Sequence, residues 1–231
     1  KIVYLLAKVL RAHADVVIEE RYRGMHKVPV FNAAVTASVL FDFTSLDSLG
    51  IADEQILWSD AELYLGISDP MAISEIPLLV ANGTEVEFTA SSEGIDGLPS
   101  ELRMSLGRQF DKPPPGGELE FDVLLSLNGS GSLSFLPLAD HAAVTMSGDW
   151  DSPSFTGRQL PAHREVRDDG FDASWTSTRI GRKLPSAWIE RHEQPPSIGR
   201  GAFGARFIQP VGLYQVIERS TKYAVLIIGL T

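Results

Sequence analysis

The sequence of 231 residues contains no cysteine and little positive charge. The lack of cysteine excludes disulfide frameworks, thiolate zinc sites and cysteine nucleophiles, but it does not assign the protein to a redox compartment. Only 20 lysine and arginine residues stand against 30 aspartate and glutamate residues, so the net charge is −10. A chain with this balance lacks the electrostatics that neutralise a phosphate backbone, and nucleic acid is not an expected partner.

Helical patterning is also sparse. Asp69-Pro70 has the form of an N-cap followed by a proline at the first helical position, and residues 98–102 are a second short candidate. Neither segment sustains three turns. The sequence therefore predicts only a few short helices.

The dominant pattern is a two-residue alternation of apolar and polar side chains, clearest at residues 35–43 and 119–128. Turn-forming sequences such as Asn82-Gly83 and residues 113–117 separate the alternating segments. This pattern predicts a mainly β protein, an antiparallel β-sandwich or an extended double sandwich. Apolar residues on the inward side of the alternation are expected to be mostly buried. They are Val39, Phe41, Phe121, Val123, Leu125, Trp150, Phe171 and Trp175.

Residue types that carry chemistry form no local site. Among the five histidines, only His163 has a possible metal-ligand neighbour on its own strand face, Glu165. Asp149 and Asp151 flank Trp150, but on a strand the two acids would face solvent while the indole faces the core. We therefore predict no catalytic residue, no metal ligand and no cofactor, and leave open an enzyme with an acidic cleft that acts on carbohydrate.

Several motifs of the chain resemble those of the CreD family. Residues 148–157 read Gly-Asp-Trp-Asp-Ser-Pro-Ser-Phe-Thr-Gly, and Leu160-Pro161, Arg164-Glu165 and residues 170–175 follow them. This order is similar to the family signature Trp-x-x-Pro-Ser-Phe-x-Gly, Leu-Pro, Arg-Glu, Gly-Phe and Trp. Further segments resemble the family and occur in the family's order, at residues 21–33, 67–73, 127–133 and 210–224. The resemblance therefore covers about residues 21–231.

The resemblance implies an inner-membrane protein associated with bacterial cell-envelope integrity, control by a two-component regulatory system and altered tolerance to colicins. It implies a periplasmic β domain at residues 1–222 and the truncated start of a transmembrane helix at 223–231. Membrane contact would then be made through helices outside this sequence. The residues 224–230 are uniformly apolar, and on residue types alone they fit either the start of such a helix or a buried C-terminal strand.

Two classes of function follow from the resemblance. The first is an interaction or scaffold module with envelope proteins or glycans as partners, and the second is a carbohydrate-active or other envelope-modifying enzyme using an acidic cleft. An enzyme is expected to bring carboxylates, or a carboxylate and a histidine, into one concave pocket, whereas a scaffold is expected to show an apolar surface or a free sheet edge. The oligomeric state stays open.

The candidate binding residues belong to the motif at 148–175. They are Trp150, Phe155, Arg164 and Trp175, because aromatic rings offer stacking surfaces and a guanidinium group can bind an anion with two hydrogen bonds. The motif as a whole is expected to be chiefly structural, a strand–loop–strand corner held by aromatic packing. Arg164 is the exception with the chemistry for a ligand.

Overall fold

The computed structural model describes residues 2–51, 55–66, 73–75, 77–81, 84–90, 101–106, 117–182, 185–189 and 201–208. Sixteen strands lie in these ranges, with a single-turn helix α1 at Arg179–Arg182 and 3-10 segments at Phe43–Leu49 and Trp58–Asp60. In chain order the strands are β1 Val3–Leu5, β2 Ala7–Arg23, β3 His26–Asp42, β4 Glu62–Gly66, β5 Leu78–Ala81, β6 Thr84–Glu87, β7 Thr89–Ala90, β8 Glu101–Ser105, β9 Glu118–Ser130, β10 Ser132–Phe135, β11 Ala139–Gly148, β12 Pro153–Gly157, β13 His163–Arg167, β14 Gly170–Thr178, β15 Ala187–Ile189 and β16 Phe203–Phe207.

An eight-stranded sheet, which we call the main sheet, has the order β13-β14-β11-β2-β3-β9-β5-β6. Its neighbouring strands are antiparallel except for β2 and β11, which run parallel. Two three-stranded sheets lie against one face of the main sheet. The first cover sheet has the order β10-β16-β12 and the second has the order β4-β8-β7, while β1 pairs with β15. The mainly β prediction is confirmed, and the layers form a sandwich.

The centre of the main sheet is one long hairpin of β2 and β3, each 17 residues long. A two-residue turn joins the strands, and its Gly24 has a φ of 67°, which a residue without a Cβ adopts at no steric cost. Residues 20–27 at the hairpin tip are exposed, with Tyr22 at 73% and Met25 at 94% exposure. The tip therefore extends past the part of the sheet that the first cover sheet shields.

Two hydrophobic cores form where the cover sheets meet the main sheet. In the first core, Trp175 of β14 stacks on Phe203 of β16 with ring centroids 5.4 Å apart, and Phe155 of β12 meets the same indole edge-on at 5.8 Å. In the second core, Phe121 of β9 packs among residues of β5, β6 and the second cover sheet, with the ring of Phe41 edge-on at 6.0 Å. Both cores use the inward residues of the two-residue alternation.

The predicted core is confirmed fully at four positions and in part at four. Phe121, Val123, Phe171 and Trp175 are buried. The half-buried positions are Val39, Phe41, Leu125 and Trp150. Trp150 is only half-buried because β11 ends at Gly148, so the strand alternation does not extend to the indole.

Some expectations concern residues outside the described ranges. They include Asp69-Pro70, the turn sequences at 82–83 and 113–115, and the boundary at residue 222 with the apolar segment 223–231. The short helix predicted at 98–102 is wrong at its described end, because Glu101 and Leu102 begin β8 and pair with β4. Across the described ranges, no helix is long and apolar enough to span a membrane.

An ionic cluster fastens three strand ends of the main sheet. Lys8 of β2 donates from Nζ to Asp42 Oδ2 of β3 and to Glu118 Oε1 of β9, both at 2.9 Å. Asp42 also accepts from the backbone N–H of Thr44 at 3.1 Å and caps the 3-10 segment that follows β3. Hydrogen bonds from the Thr44 hydroxyl and from Lys8 lower the pKa of the Asp42 carboxyl.

This lowered pKa predicts a pH dependence of stability. The folded state binds the Asp42 proton less tightly than the unfolded state, so the stabilisation is present above the unfolded pKa of about 4 and is lost as pH falls through the folded pKa. We expect Asp42→Asn to lower the melting temperature at neutral pH and to approach the unsubstituted chain in acid. Thermal unfolding across a pH series measures this, with Asp168→Asn in an exposed turn as the control. Parallel pH profiles for the Asp42 variant and the parent would contradict it.

Candidate functional site

A cleft of about 570 Å³ opens on the inner face of the main sheet, between the two cover sheets. Strands β2, β3 and β9 form its floor, β4 forms one wall, and β10 with the segment after it forms the other. We call it the cleft and define it by its apolar side chains: Leu10, Ala37, Val39, Phe41 and Leu125 on the floor, and Leu63, Leu65, Leu133 and Phe135 on the walls.

The cleft forms because the central strands are longer than the cover sheets can shield. β2 and β3 have 17 residues each and β9 has 13, whereas β4 has five and β10 has four. The inward apolar alternation continues through the gap between the covers. Val39, Phe41 and Leu125 are therefore half-buried, although the alternation places them on the core face.

The described lining of the cleft is mostly apolar and carries no charged residue. Its polar members are Tyr64 of β4 and, around the β9–β10 turn, Asn128, Ser130, Ser132 and Ser134. The Tyr64 hydroxyl donates to Glu62 Oε2 at 2.5 Å and is thus already engaged. This surface can bind a ligand by burying apolar area, at about 25 cal/mol per Å². Among its described lining residues there is no aspartate, glutamate, histidine, lysine or arginine.

A chain of polar side chains crosses the opposite, outer face of the main sheet. His13 Nδ1 lies 2.8 Å from Thr145 Oγ1, and His13 Nε2 lies 3.1 Å from Asp15 Oδ1. The Ser147 hydroxyl donates a hydrogen bond of 2.5 Å to the same Asp15 oxygen. The parallel pairing of β2 with β11 places Thr145 beside His13 and Ser147 beside Asp15.

This polar chain lacks the order of a serine hydrolase triad. The carboxylate stands between the histidine and the serine, so His13 does not contact the Ser147 hydroxyl and cannot take its proton directly. The Ser147 hydrogen bond, and to a lesser extent the His13 charge, lower the pKa of Asp15. Asp15 is thus ionised at neutral pH and is not a general acid there.

A shallow hollow of about 320 Å³ adjoins the polar chain and gathers acidic residues. Asp149 Oδ1 accepts from the Ile18 backbone N–H at 2.7 Å, and Asp172 and Asp169 lie 2.6 and 3.5 Å from Arg167 nitrogens. With Asp15, four carboxylates line this hollow together with Arg167. Each of these carboxylates is engaged in a contact that joins neighbouring strands or turns.

The four predicted binding residues separate into three packed aromatics and one exposed arginine. Trp175 is buried, Phe155 is half-buried against it, and Trp150 is half-buried with its Nε1 donating to the Ile208 carbonyl at 3.3 Å. Arg164 is exposed on the edge strand β13. The Arg164 side chain makes no hydrogen bond, ion pair or ring contact with another described residue, while its backbone pairs with Ala173 of β14. His163 and Glu165 lie on the same exposed strand, and the described residues form no cluster of three or more metal-binding side chains.

Sequence reasoning missed both the cleft and the polar chain. An alternation that indicates strand β2 was present in the sequence. Its apolar positions are Leu10, Ala12, Ala14, Val16 and Ile18, and its polar positions are Arg11, His13 and Asp15. Alanine is a weak hydrophobic signal and a poor strand former, which hides the alternation. The contact of His13 with Thr145 joins positions 132 residues apart, and no local pattern encodes it.

Asp149 offers a test of whether the acidic hollow is structural. Asp149→Ala leaves the Ile18 N–H without its acceptor and is expected to cost about 1–3 kcal/mol of stability. Asp151→Ala, two residues along the same exposed loop, is the matched control and is expected to change stability by less than about 0.5 kcal/mol. Chemical denaturation of the two variants measures both values, and equal stabilities would refute a structural role for Asp149.

Comparison with known proteins gives one family. The family profile described as "Inner membrane protein CreD" matches residues 1–231. The curated protein "Inner membrane protein CreD" of Escherichia coli (strain K12) is 29% identical over 221 residues, which cover 93% of this chain. The match covers 46% of that relative, so the chain spans about half of its length.

Solved structures give only weak likenesses. An M1 zinc metallopeptidase from Deinococcus radiodurans has a TM-score of 0.37 and 12% identity, covering 74% of this chain and 38% of its own. The Fcho1 Mu homology domain of Danio rerio, with a bound Eps15 peptide, has a TM-score of 0.25 and 7% identity, covering 88% and 81%. These values are too low to support an inference about this chain.

Proposed function

Because the chain belongs to the CreD family of inner membrane proteins, we propose that it is a periplasmic binding or scaffold module that contributes to cell-envelope integrity. One observation carries the choice of a binding module: the larger of the two concave surfaces described above is the apolar cleft, and no charged residue is among its described lining residues. Such a surface favours apolar burial over bond-breaking chemistry.

The proposal includes a division of the chain. Residues 1–222 are proposed to form the periplasmic β domain, and residues 223–231 to begin a transmembrane helix. Membrane attachment would use helices outside this sequence, and the partners would be envelope proteins or glycans. The uniformly apolar composition of residues 224–230 supports this division.

Within the motif at 148–175 we assign different roles to the four predicted binding residues. Trp150, Phe155 and Trp175 support the fold by packing in or against the first core. Arg164 is the residue that would meet an anionic group, because its guanidinium is exposed on an edge strand. Arg164→Ala is expected to leave the melting temperature unchanged and to lower the detergent tolerance of cells that carry the full-length protein. Unchanged detergent tolerance would exclude Arg164 as a binding residue.

A second candidate function, an envelope-modifying enzyme, rests on the acidic hollow beside His13. Its carboxylates converge as an active site requires, but their contacts with Ile18, Arg167 and Ser147 account for them structurally. The double variant His13→Ala with Asp15→Asn in the full-length protein decides between the two candidates. We expect detergent tolerance of the cells to be retained, whereas loss of tolerance with an unchanged melting temperature would favour the enzyme.

Periplasmic placement can be tested directly because this chain has no cysteine of its own. Met25→Cys at the exposed hairpin tip places one thiol in the chain. In intact cells of a Gram-negative host whose outer membrane has been permeabilised, a membrane-impermeant maleimide should label it before lysis. The full-length parent without the substitution is the background control, and labelling only after lysis would show that this part of the protein faces the cytoplasm.

A further inference from the structure

The size of the cleft requires an explanation. Close-packed protein interiors leave few voids larger than a water molecule. The cleft holds about 570 Å³, which falls inside the range of roughly 300–1,000 Å³ typical of ligand pockets. An apolar opening of this size exposes hydrophobic surface to water unless something fills it.

The chemistry of the lining selects the class of ligand. Apolar side chains supply both the floor and the two walls, and no described lining residue is charged. The polar residues of the lining are concentrated around the β9–β10 turn, so one part of the cleft is apolar and another part is able to meet water or a polar group. A slender molecule with a long apolar part and a polar end fits this distribution.

We propose that the cleft binds an acyl chain, with its polar end toward the β9–β10 turn. The inference rests on the proposed function, because the inner membrane with which the family is associated supplies acyl chains at the place where the module acts. A protein partner is less suited to this surface. Stable protein interfaces bury about 800 Å² on each partner, over a broad surface and not inside a slot enclosed on three sides.

Ala37 offers a substitution that fills the cleft without changing its chemistry. It lies on the floor, in the second half of β3, and is half-buried. Ala37→Phe places a ring in the space that an acyl chain would occupy. Because burying one methylene group contributes about 0.8 kcal/mol, excluding even two of them lowers affinity about tenfold.

Two matched controls use the same substitution on the same strand. Thr36→Phe places the ring on the solvent-exposed outer face, one residue away. Ala33→Phe places it on the inner face in the packed first core, where Ala33 is fully buried. If the cleft is open, Ala37→Phe should keep a melting temperature near that of the parent, as Thr36→Phe should, whereas Ala33→Phe should lower it clearly.

The binding test uses the purified 231-residue chain and cis-parinaric acid, whose fluorescence rises in apolar surroundings. A second arm presents a phospholipid carrying the same polyene chain in vesicles of phosphatidylethanolamine and phosphatidylglycerol. We expect saturable binding by the parent and by Thr36→Phe, and binding at least about tenfold weaker for Ala37→Phe. Binding of the free acid alone identifies a fatty-acid site, and transfer from vesicles identifies a phospholipid site.

Three results would overturn the proposal. The first is that the parent fails to bind either probe, and the second is that Ala37→Phe binds as tightly as the parent. The third is that Ala37→Phe is destabilised as strongly as Ala33→Phe, which would mean that the cleft is closed in the molecule. The titration needs neither periplasmic placement nor a cellular phenotype. A negative result here is therefore distinguishable from a failed labelling experiment at Met25.

Discussion

Replacing Trp175 with alanine is expected to lower the free energy of unfolding by about 3–5 kcal/mol, the cost typical of deleting a large buried aromatic side chain. The indole is 0% exposed, and it stacks on Phe203 while Phe155 meets it edge-on. These contacts join β14 of the main sheet to both β12 and β16 of the first cover sheet. In a chain of this length such a loss corresponds to a fall of about 10 °C in melting temperature.

Two further variants separate packing from other roles of the indole. Trp175→Phe keeps an aromatic ring, and Trp175 Nε1 has no hydrogen-bond partner among the described residues, so this change should cost less than half as much. Trp150→Ala removes a half-buried indole and should also cost less. A loss below about 1 kcal/mol for Trp175→Ala would mean that the motif at 148–175 is not held by its aromatic core.

Adding one methyl group at Gly204 is expected to be comparably harmful. Gly204 lies on β16, the central strand of the first cover sheet. A Cβ there would stand 2.7 Å from the Cα of Ser134 and closer still to the Leu133 carbonyl oxygen, both on β10. These are backbone atoms, which cannot turn aside as a side chain can. Gly204→Ala must therefore separate two paired strands, and we expect a loss of about 3 kcal/mol.

Gly201→Ala is the matched control, because a Cβ at Gly201 would have no atom of the described residues within 4 Å, its chain neighbours aside. Alanine there should leave stability unchanged or raise it slightly by restricting the unfolded chain. Thermal and denaturant unfolding of the two variants give the comparison. Equal melting temperatures would show that β10 and β16 are not as close as the structure places them.

The cores and the cleft differ in how they tolerate added volume. A side chain at Gly204 would meet the backbone of β10 within the first cover sheet, and Ala33 is fully buried in the first core, so neither position has room for a larger residue. At Ala37 the same main-sheet face is open between the covers. Ligand binding is therefore expected where the packing is incomplete, and the packed cores hold the two walls of the cleft in place.

The acidic hollow shows why gathered carboxylates alone do not define an active site. Asp149 caps the backbone of β2, and Arg167 is paired with Asp169 and Asp172. The hydrogen bond from Ser147 lowers the pKa of the Asp15 carboxyl, which favours the charged form. A glycosidase acid needs a raised pKa so that it carries a proton at neutral pH.

The sequence by itself determined the mainly β class, the family, and which side chains face inward along strands with a clear alternation, such as β3 and β9. These properties are local, since alternation along one strand decides the face on which a side chain lies. Phe121 and Phe171 were therefore predictable as core residues, and the structure buries both. The family resemblance followed from the order of short motifs, which needs no coordinates.

Only the tertiary structure decided what covers each inward residue. Val39, Leu125 and Phe121 have equal alternation signals, yet the second cover sheet buries Phe121 and the gap between the covers leaves the other two half-buried. In the same way, Glu101 and Leu102 form a strand because β4 pairs with them, although their local sequence suggested a helix. Whether an inward side chain is covered depends on strands that are distant in the chain, whereas the alternation depends only on residues adjacent in the sequence. The sequence pattern therefore showed the inner face of the sheet but not the cleft within it.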